Sequence, residues 1–445
     1  MGAPREHVTV GIVGGGIAGL SLARMLELSG ISYCLWESYR SFAPNSGASI
    51  GLMPSGLRIL DQLGLYSQIK PYDVPHQWWE HRDGQGRLQA KIYSHAQLKE
   101  RTGYGGFFLE RQQVLQILYD NIRDKSKLSA SKRVVAVKNN EQAAILVAAD
   151  GSEVSCDFVA GADGVRSVVR QEIERQATDS VKQDSDRFDA RYACVYGISD
   201  PIPEIGPGRA FTVYRPDVSL LIFTGRDSVY WFLFHDLKRV INYDKPERFS
   251  EEHIDVIYRQ VADTPITDGV KFSRVYARKR TAVTTALEEG ITGLFSHGRL
   301  FVLGDSAHKM VPHAAMGANQ AIESAAAFVN VLRPLVAQRQ ESPVTHIPIL
   351  QVEDCLNQYT RRRRERVTSI QQLANRACRA QLKIGKDSEE FWLNLPKLTG
   401  EVSLSRLLGP FRNAEYLENW KLGRKQVVLA NGATENIRGR IRANL

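Results

Sequence analysis

The sequence predicts an α/β fold in which a parallel-sheet domain is interrupted by an inserted antiparallel β-sheet and followed by a helical C-terminal segment. The chain opens with an apolar strand, a helix and a second apolar strand. Residues 190–235 contain repeated short strands separated by turns, and an apolar strand from Arg299 to Leu303 leads into a long helix. Strands that alternate with helices are typical of parallel sheets, whereas closely spaced strands are typical of antiparallel sheets.

The first strand is predicted from His7 to Val13 and the second from Ile31 to Trp36, because both are short apolar runs. Between them, residues 17–28 repeat apolar side chains at helical spacing. A strand, a helix and a strand within about 30 residues form a βαβ unit, which implies parallel pairing and a right-handed crossover.

The strand pattern changes near residue 175 and changes back near residue 290. We therefore predict a first domain over residues 1–175, a β-rich substrate domain over 176–290, a return to the first domain over 291–345, and a helical segment over 346–445. A chain of 445 residues is long enough for two or three domains of ordinary size.

The net charge of +9 permits attraction to phosphorylated cofactors, nucleic acid or anionic membranes. The basic residues are mostly spread out, so we expect no nucleic-acid partner. The one dense run is Arg361 to Arg364. It is interpreted either as a solvated helix face or as a patch that binds phosphate or a membrane surface.

Five cysteines lie far apart without a C-x-x-C pair, which predicts neither a disulfide framework nor a zinc site. The first strand begins too early for a signal peptide, and no apolar run is long enough to span a membrane. We expect a cytoplasmic protein with free thiols. Peripheral membrane contact and the oligomeric state stay open.

The first motif, Gly14-Gly15-Gly16-Ile17-Ala18-Gly19, fits G-x-G-x-x-G and joins the first strand to its helix. In this Rossmann-like arrangement Gly14 allows the tight turn, Gly16 lets a pyrophosphate approach the backbone, and Gly19 allows close helix–strand packing. Glu37 ends the second strand, about 20 residues further on, where a carboxylate binds ribose hydroxyls. The motif predicts a dinucleotide without a 2′-phosphate, either NAD or FAD.

Two further motifs also follow apolar strands. Asp163 lies in Gly161-Ala162-Asp163-Gly164-Val165-Arg166-Ser167, and Asp305 lies in Gly304-Asp305-Ser306-Ala307-His308. By itself the motif around Asp163 fits a turn that leads into a basic helix, whereas Asp305 at the end of its strand is placed to bind a sugar hydroxyl. Downstream, Gly317 and Ala318 begin a helix whose N-terminus is suited to stabilise developing negative charge.

These three motifs in this order resemble the class A flavoprotein monooxygenases, the para-hydroxybenzoate hydroxylase group, over about residues 7–370. The resemblance implies that FAD is bound non-covalently, with Asp305 on its ribityl chain. It also implies that Asp163 lies near the pyrophosphate and the nicotinamide, and that Arg111 and Gly51 contact the cofactor. A fold with a Rossmann-like FAD-binding domain and an inserted substrate sheet follows from the same resemblance.

Within that group the chain is most similar to fungal monooxygenases of the paxilline-epoxidase type. The segments that carry this likeness are Tyr192 to Ser199, Val229 to Phe234 and Gly304 to Met310. Such enzymes act on prenylated indole alkaloids, indole diterpenes and meroterpenoids. The resemblance implies that Arg191 and Tyr214 are catalytic residues.

One loop departs from the family pattern P-x-x-G-Q-G-x-N. In Pro312-His313-Ala314-Ala315-Met316-Gly317-Ala318-Asn319, Ala315 and Met316 replace the usual glycine and glutamine. The resemblance places this loop beside the flavin ring, so this difference affects the contacts expected there.

The resemblance implies a reaction in which NADPH or NADH reduces the flavin and dioxygen then forms a C4a-hydroperoxide. This species transfers one oxygen atom to a small apolar organic substrate, by epoxidation or hydroxylation. No metal is predicted, because His308 and His313 have no evident third ligand. Two alternatives share the first motif: another flavin oxidoreductase, or a non-catalytic binder like the GDP-dissociation inhibitors.

Overall fold

The computed structural model describes residues 6–45, 49–177, 188–339 and 346–420. Within these ranges the strands are β1 His7–Val13, β2 Tyr33–Trp36, β3 Ser49–Leu52, β4 Trp78–Asp83, β5 Leu88–Ile92, β6 Phe107–Glu110, β7 Leu128–Ser129, β8 Val134–Asn139, β9 Ala144–Ala148, β10 Glu153–Gly161, β11 Ala190–Ser199, β12 Arg209–Tyr214, β13 Val218–Thr224, β14 Val229–Ile241, β15 Pro265–Thr267, β16 Val270–Lys271, β17 Lys279–Glu288, β18 Gly290–Ile291, β19 Ser296–His297, β20 Leu300–Val302 and β21 His308–Lys309.

The helices of the same ranges are α1 Ile17–Leu28, α2 Pro54–Gln62, α3 Tyr66–Ile69, α4 Ser94–Thr102, α5 Arg111–Asp120, α6 Val168–Gln176, α7 Glu251–Val261, α8 Phe272–Tyr276, α9 Gly317–Arg339, α10 Ile349–Gln381, α11 Gly385–Asn394 and α12 Gly400–Leu408. None of the described helices is both long enough and apolar enough to cross a bilayer.

The first sheet has the order β19-β20-β10-β1-β2-β7, with β8 and β9 added beside β10. The β1 strand pairs in parallel with both β2 and β10, which confirms the predicted βαβ unit. Because β20 also pairs in parallel with β10, the carboxyl ends of β1, β10 and β20 lie side by side. The three motifs follow these three strands and are therefore brought together at one edge of the sheet.

The second sheet has the order β17-β11-β14-β13-β12-β4-β5. Its centre is antiparallel, as predicted for the insertion, but β4 pairs in parallel with β12. Two strands of this sheet thus come from residues 78–92, inside the range that we assigned to the first domain. The remaining domain boundaries stay a prediction. The α/β fold class is confirmed.

The helix α9 packs against α1, α2 and α10, and α12 packs against α4. The arginine run lies on α10 and is divided between two environments. Arg363 is fully buried and pairs with Glu323 of α9, whereas Arg361 and Arg364 are exposed. The interpretation of the whole run as a solvated face is therefore wrong for Arg363, which serves as an internal contact between helices. All five cysteines are buried with free thiols, as expected.

Candidate active site

The glycine turn after β1 has the geometry that its residues predicted. Gly14 has φ +101°, and a Cβ there would lie 2.5 Å from the carbonyl oxygen of Ala162. A Cβ on Gly19 would lie 1.9 Å from the carbonyl oxygen of Gly14, so the helix packs too closely for any side chain. A Cβ on Gly16 would meet only Arg111 Nη2, at 3.9 Å. The turn is thus closed towards the sheet and open on the side where a pyrophosphate would approach.

Glu37 lies directly beside this turn at the end of β2. Its buried carboxylate accepts hydrogen bonds from the backbone N–H groups of Gly15, at 2.5 Å, and Tyr39, at 2.8 Å. The Ser38 hydroxyl donates a third hydrogen bond, at 3.1 Å. A carboxylate has about four acceptor sites, so Glu37 can still accept a hydrogen bond from a ribose hydroxyl.

Asp305 follows β20 and carries an ion pair that the sequence did not predict. Its carboxylate accepts a hydrogen bond from Lys309 Nζ at 2.5 Å, and the side chain remains 40% exposed on the open side of the turn. Burial opposes ionisation, but Lys309 with smaller contributions from His308 and Arg111 holds the pKa of Asp305 below its ordinary value. The structure thus brings Asp305 and Arg111 together near Gly16 as an ionised, partly open group.

Asp163 is buried and joins the second motif to the third. Its carboxylate accepts a hydrogen bond from the backbone N–H of Val168, at 2.7 Å, at the start of α6. The Ser306 hydroxyl also donates to it, at 3.3 Å. Burial raises the pKa of Asp163, although the Ser167 hydroxyl and nearby backbone N–H groups, including that of Val168, act in the opposite direction. Asp163 therefore connects the start of α6 to the third motif. Its expected role towards the nicotinamide stays a prediction.

The loop before α9 keeps the backbone shape that the family glycine would favour. Ala315 has φ +52°, in the left-handed region that alanine rarely adopts. Asn319 fixes the loop, because its side chain accepts from Met53 N at 2.9 Å and donates to the Gly51 carbonyl at 2.9 Å. A Cβ on Gly51 would lie 2.8 Å from that of Ala315, so this position requires glycine.

The N-terminus of α9 is open. A Cβ on Gly317 would meet no atom within 4 Å, and Ala318 is only partly buried. The first N–H groups of a helix lack internal partners and carry partial positive charge, so this end is suited to an electron-rich ring edge or oxygen. Together with the glycine turn and the two carboxylates, it fits the shape and the donor requirements of FAD.

A cavity of about 350 Å³ lies between this loop and the second sheet. Its wall includes the loop at 312–316, strands β4, β13 and β14, residues of the segment 92–108, and the C-terminal helices α10 to α12. Its rings are mainly apolar: Trp79, Phe108, Phe223, Phe232, Phe234, Phe391 and Phe411. Such a wall favours an apolar ligand and excludes water.

The two predicted catalytic residues lie outside the wall of this cavity. Arg191 is exposed at the start of β11, where the pairing register shifts between Ala190 and Tyr192. Tyr214 is buried behind the cavity and contacts the lining residue His81 through a 2.8 Å hydrogen bond. Their assignment as catalytic residues stays a prediction.

His308 and His313, for which no metal site is predicted, lie in two different environments. His308 Nε2 lies 3.0 Å from the hydroxyl of Ser324, whereas the His313 ring packs 3.9 Å from that of Phe234. In the described ranges, one other group has metal-ligand chemistry. It consists of His7, Asp157 and His346 at the start of β1, the end of the strand opposite the glycine turn.

Comparison with known proteins identifies the family. A family model described as the FAD binding domain matches residues 7–373. The FAD-dependent monooxygenase olcE of Penicillium canescens is 36% identical over 388 residues, which cover 85% of this chain and 82% of that protein. The chain belongs to the FAD-dependent monooxygenases. The monooxygenase is also 32% identical to paxM of Penicillium paxilli over 381 residues, which cover 84% of this chain and 79% of paxM.

Solved structures share the fold of the monooxygenase. The p-nitrophenol 4-monooxygenase PnpA of Pseudomonas putida DLL-E4 has a TM-score of 0.73 at 19% identity, covering 92% of this chain and 98% of that one. Klebsiella pneumoniae HpxO, solved with FAD and uric acid, has a TM-score of 0.71 at 20% identity, covering 91% and 97%. The monooxygenase therefore uses FAD, a reduced nicotinamide cofactor and dioxygen. The relatives do not support the alternatives of another flavin oxidoreductase or a non-catalytic binder.

Proposed function

We propose that the monooxygenase transfers one oxygen atom to an alkene or an indole double bond of a large apolar secondary metabolite. The substrate class is a prenylated indole alkaloid, an indole diterpene or a meroterpenoid. The aromatic cavity beside the loop at 312–316, which we name the flavin loop, carries this proposal, because it offers apolar surface next to the loop that the family resemblance places at the flavin ring. The resemblance to paxilline-type enzymes supports the same class.

Bound FAD supplies two-electron transfer from the nicotinamide and activation of dioxygen. Glu37, Asp305 and the open turn at Gly16 would hold the cofactor at the edge of the first sheet. Asn319 fixes the loop that forms part of the cavity wall. The aromatic wall then excludes water and orients the double bond towards that loop.

We infer two further roles from the family resemblance. Arg191 stabilises or protonates an oxygen atom as the product forms, and Tyr214 contributes through its contact with the cavity residue His81. Removal of a positioned electrostatic group commonly reduces the rate on the order of 10²-fold or more. The cytoplasm remains the predicted compartment, with peripheral contact to a membrane surface left open.

Turnover with labelled dioxygen tests this function. Purified enzyme, NADPH or NADH, and a panel of prenylated indoles and meroterpenoids are expected to give a product that gains one labelled oxygen atom. Unlabelled product would contradict the monooxygenase reaction. Arg191→Ala is compared at matched flavin content with Arg226→Ala, which removes another exposed arginine. Equal product rates for the two variants would contradict the role of Arg191.

A further inference from the structure

Three histidines form a polar group within the aromatic cavity, which we name the histidine end: His76, His81 and His95. The rings of His76 and His95 lie 5.7 Å apart. The ring of Trp79 lies 5.0 Å from that of His95 and 5.6 Å from that of His81. Three of the four histidines that line the cavity thus lie in one region, whereas the fourth, His313, lies in the loop at 312–316.

Between the histidine end and the flavin loop lies a series of rings in contact, two pairs of them stacked and one pair edge to face. The series begins at Phe108, which lies beside Gly51 and stacks on Phe223 at 3.6 Å. Phe223 contacts Trp79 at 5.4 Å, and Trp79 stacks on His81. A ligand that touches both Phe108 and His81 must therefore extend past two intervening rings.

His81 is held in one orientation by Tyr214. The Tyr214 hydroxyl lies 2.8 Å from His81 Nδ1, and the Tyr214 ring is packed between Phe391 and Trp392 at 5.3 and 5.0 Å. With Nδ1 engaged, Nε2 is the ring nitrogen of His81 that remains for a ligand. His95 Nδ1 is buried and has no hydrogen-bond partner among the described residues, which is unfavourable unless a ligand provides one.

Burial keeps all three imidazoles uncharged. It lowers the pKa of His81 and of His95 to about 3, and it also lowers the pKa of His76. A neutral imidazole offers one donor and one acceptor, but it does not compensate the charge of a carboxylate. The chemistry of the histidine end therefore suits an uncharged hydroxyl or carbonyl group.

We propose that the histidine end binds a hydroxyl or carbonyl group of the substrate and so places the opposite end of the molecule at the flavin loop. This inference rests on the proposed function and adds the position of the reacting bond to it. One atom of dioxygen is added to the double bond distant from the polar group. The other atom is reduced to water with two electrons from the nicotinamide cofactor and with protons from solvent. His81 selects the reacting bond, and Tyr214 acts as its positioning residue.

Binding to the FAD-loaded enzyme gives the first test, with the alcohol farnesol, the hydrocarbon farnesene and the acid farnesoate as probes. Changes in flavin absorbance report the dissociation constants. His81→Phe is expected to weaken farnesol binding about tenfold while leaving farnesene within about twofold, because only the alcohol loses a hydrogen bond. His81→Gln retains a polar group and is expected to restore part of the loss. Farnesoate is expected to bind more weakly than farnesol.

The control variant is His297→Phe, which removes an exposed histidine. It is expected to leave the dissociation constants of farnesol and farnesene unchanged. Flavin content and thermal midpoint are measured for every variant, so a folding defect is recognised. Equal weakening of farnesol and farnesene by His81→Phe would overturn the proposal. Failure of the wild-type enzyme to bind farnesol would also overturn it.

The position of oxygenation gives the second test. The wild-type enzyme is expected to oxygenate farnesol mainly at the double bond farthest from the hydroxyl, and His81→Phe is expected to distribute oxygen over the other double bonds. An unchanged product pattern would overturn the proposal. Selective binding without any oxygenated product would instead contradict the proposed function and leave recognition by the histidine end intact.

Discussion

Asp305 illustrates how single residues define this site. Burial opposes ionisation of this carboxylate, but Lys309 holds its pKa below the ordinary value while part of its surface stays open. Ala315 is a second example, because it holds a left-handed backbone in the flavin loop without the usual glycine. In both cases the surroundings of a residue, and not its type alone, set its state.

Asp305→Ala is expected to weaken FAD binding more than tenfold, because a ribityl hydroxyl loses a charge-assisted partner contributing about 1.5–3 kcal/mol. Titration of apoprotein with FAD measures the change. The matched control is Asp263→Ala, which breaks the exposed pair with Lys271. An unchanged dissociation constant for Asp305→Ala would show that this carboxylate does not contact FAD.

The pH dependence of binding has a definite sign. Because the pKa of Asp305 is lowered, its contribution is present at neutral pH and is lost as the pH falls through that lowered value. Wild-type FAD affinity is therefore expected to decrease in acid more steeply than that of Asp305→Ala.

The helices α9 and α10 are held together by a buried charge network. Glu323 is fully buried, 3.4 Å from Arg363 Nη1 and 2.5 Å from Arg366 Nε. Arg366 also donates to the carbonyl oxygens of Pro410 and Arg412, both at 3.1 Å. The network therefore anchors the segment that includes Pro410, a residue of the cavity wall, to the cofactor-binding helix.

Glu323→Gln is expected to destabilise the enzyme by about 3–5 kcal/mol, because the fully buried guanidinium of Arg363 and the partly buried one of Arg366 lose their counter-charge. Burial opposes ionisation of Glu323, but Arg366 and then Arg363 lower its pKa to about 2. The carboxylate thus contributes stability that is fully present above its ordinary pKa of 4.5 and is lost as the pH falls through about 2.

Urea unfolding followed across pH measures this effect. Glu353→Gln removes an exposed glutamate from α10 and is expected to shift the midpoint little. If the two variants had equal midpoints at neutral pH, the network would have no role in stability.

For the whole molecule, the cavity exists only because three distant parts of the chain meet. The segment after β21 supplies the flavin loop, the second sheet supplies most of the rings, and the C-terminal helices close the remaining side. The part of the wall formed by the second sheet and the C-terminal helices therefore contains none of the residues assigned to the cofactor. Substitutions on the C-terminal helices are expected to alter the fraction of nicotinamide oxidation that leads to oxygenated product, without altering flavin content.

Ala377→Trp on α10 fills part of the cavity from the C-terminal side. We expect normal FAD content, continued oxidation of the nicotinamide, less oxygenated product and more hydrogen peroxide, because the substrate no longer reaches its position. Peroxide and product are measured together, with Ala377→Val as the small-volume control. Unchanged coupling in Ala377→Trp would show that this cavity does not hold the substrate.

Local patterns predicted much of the fold. The β1, α1 and β2 elements, the roles of Gly14 and Gly19, and the strands of the insertion all follow from periodicity and glycine chemistry over a few residues. The parallel pairing of β4 with β12 was not predicted, because nothing within residues 78–92 specifies a partner so far along the chain. The Lys309 partner of Asp305 was missed, although it is only four residues away.

The sequence by itself determined a dinucleotide-binding edge, an inserted sheet and the family, because motifs and periodicity are local properties of the chain. Only the tertiary structure decided which side chains share a cavity. His81 and Tyr214 are 133 residues apart, and Asp163 and Ser306 are 143 apart. Such contacts depend on how sheets and helices pack, and that packing reflects the burial of apolar surface over the whole molecule.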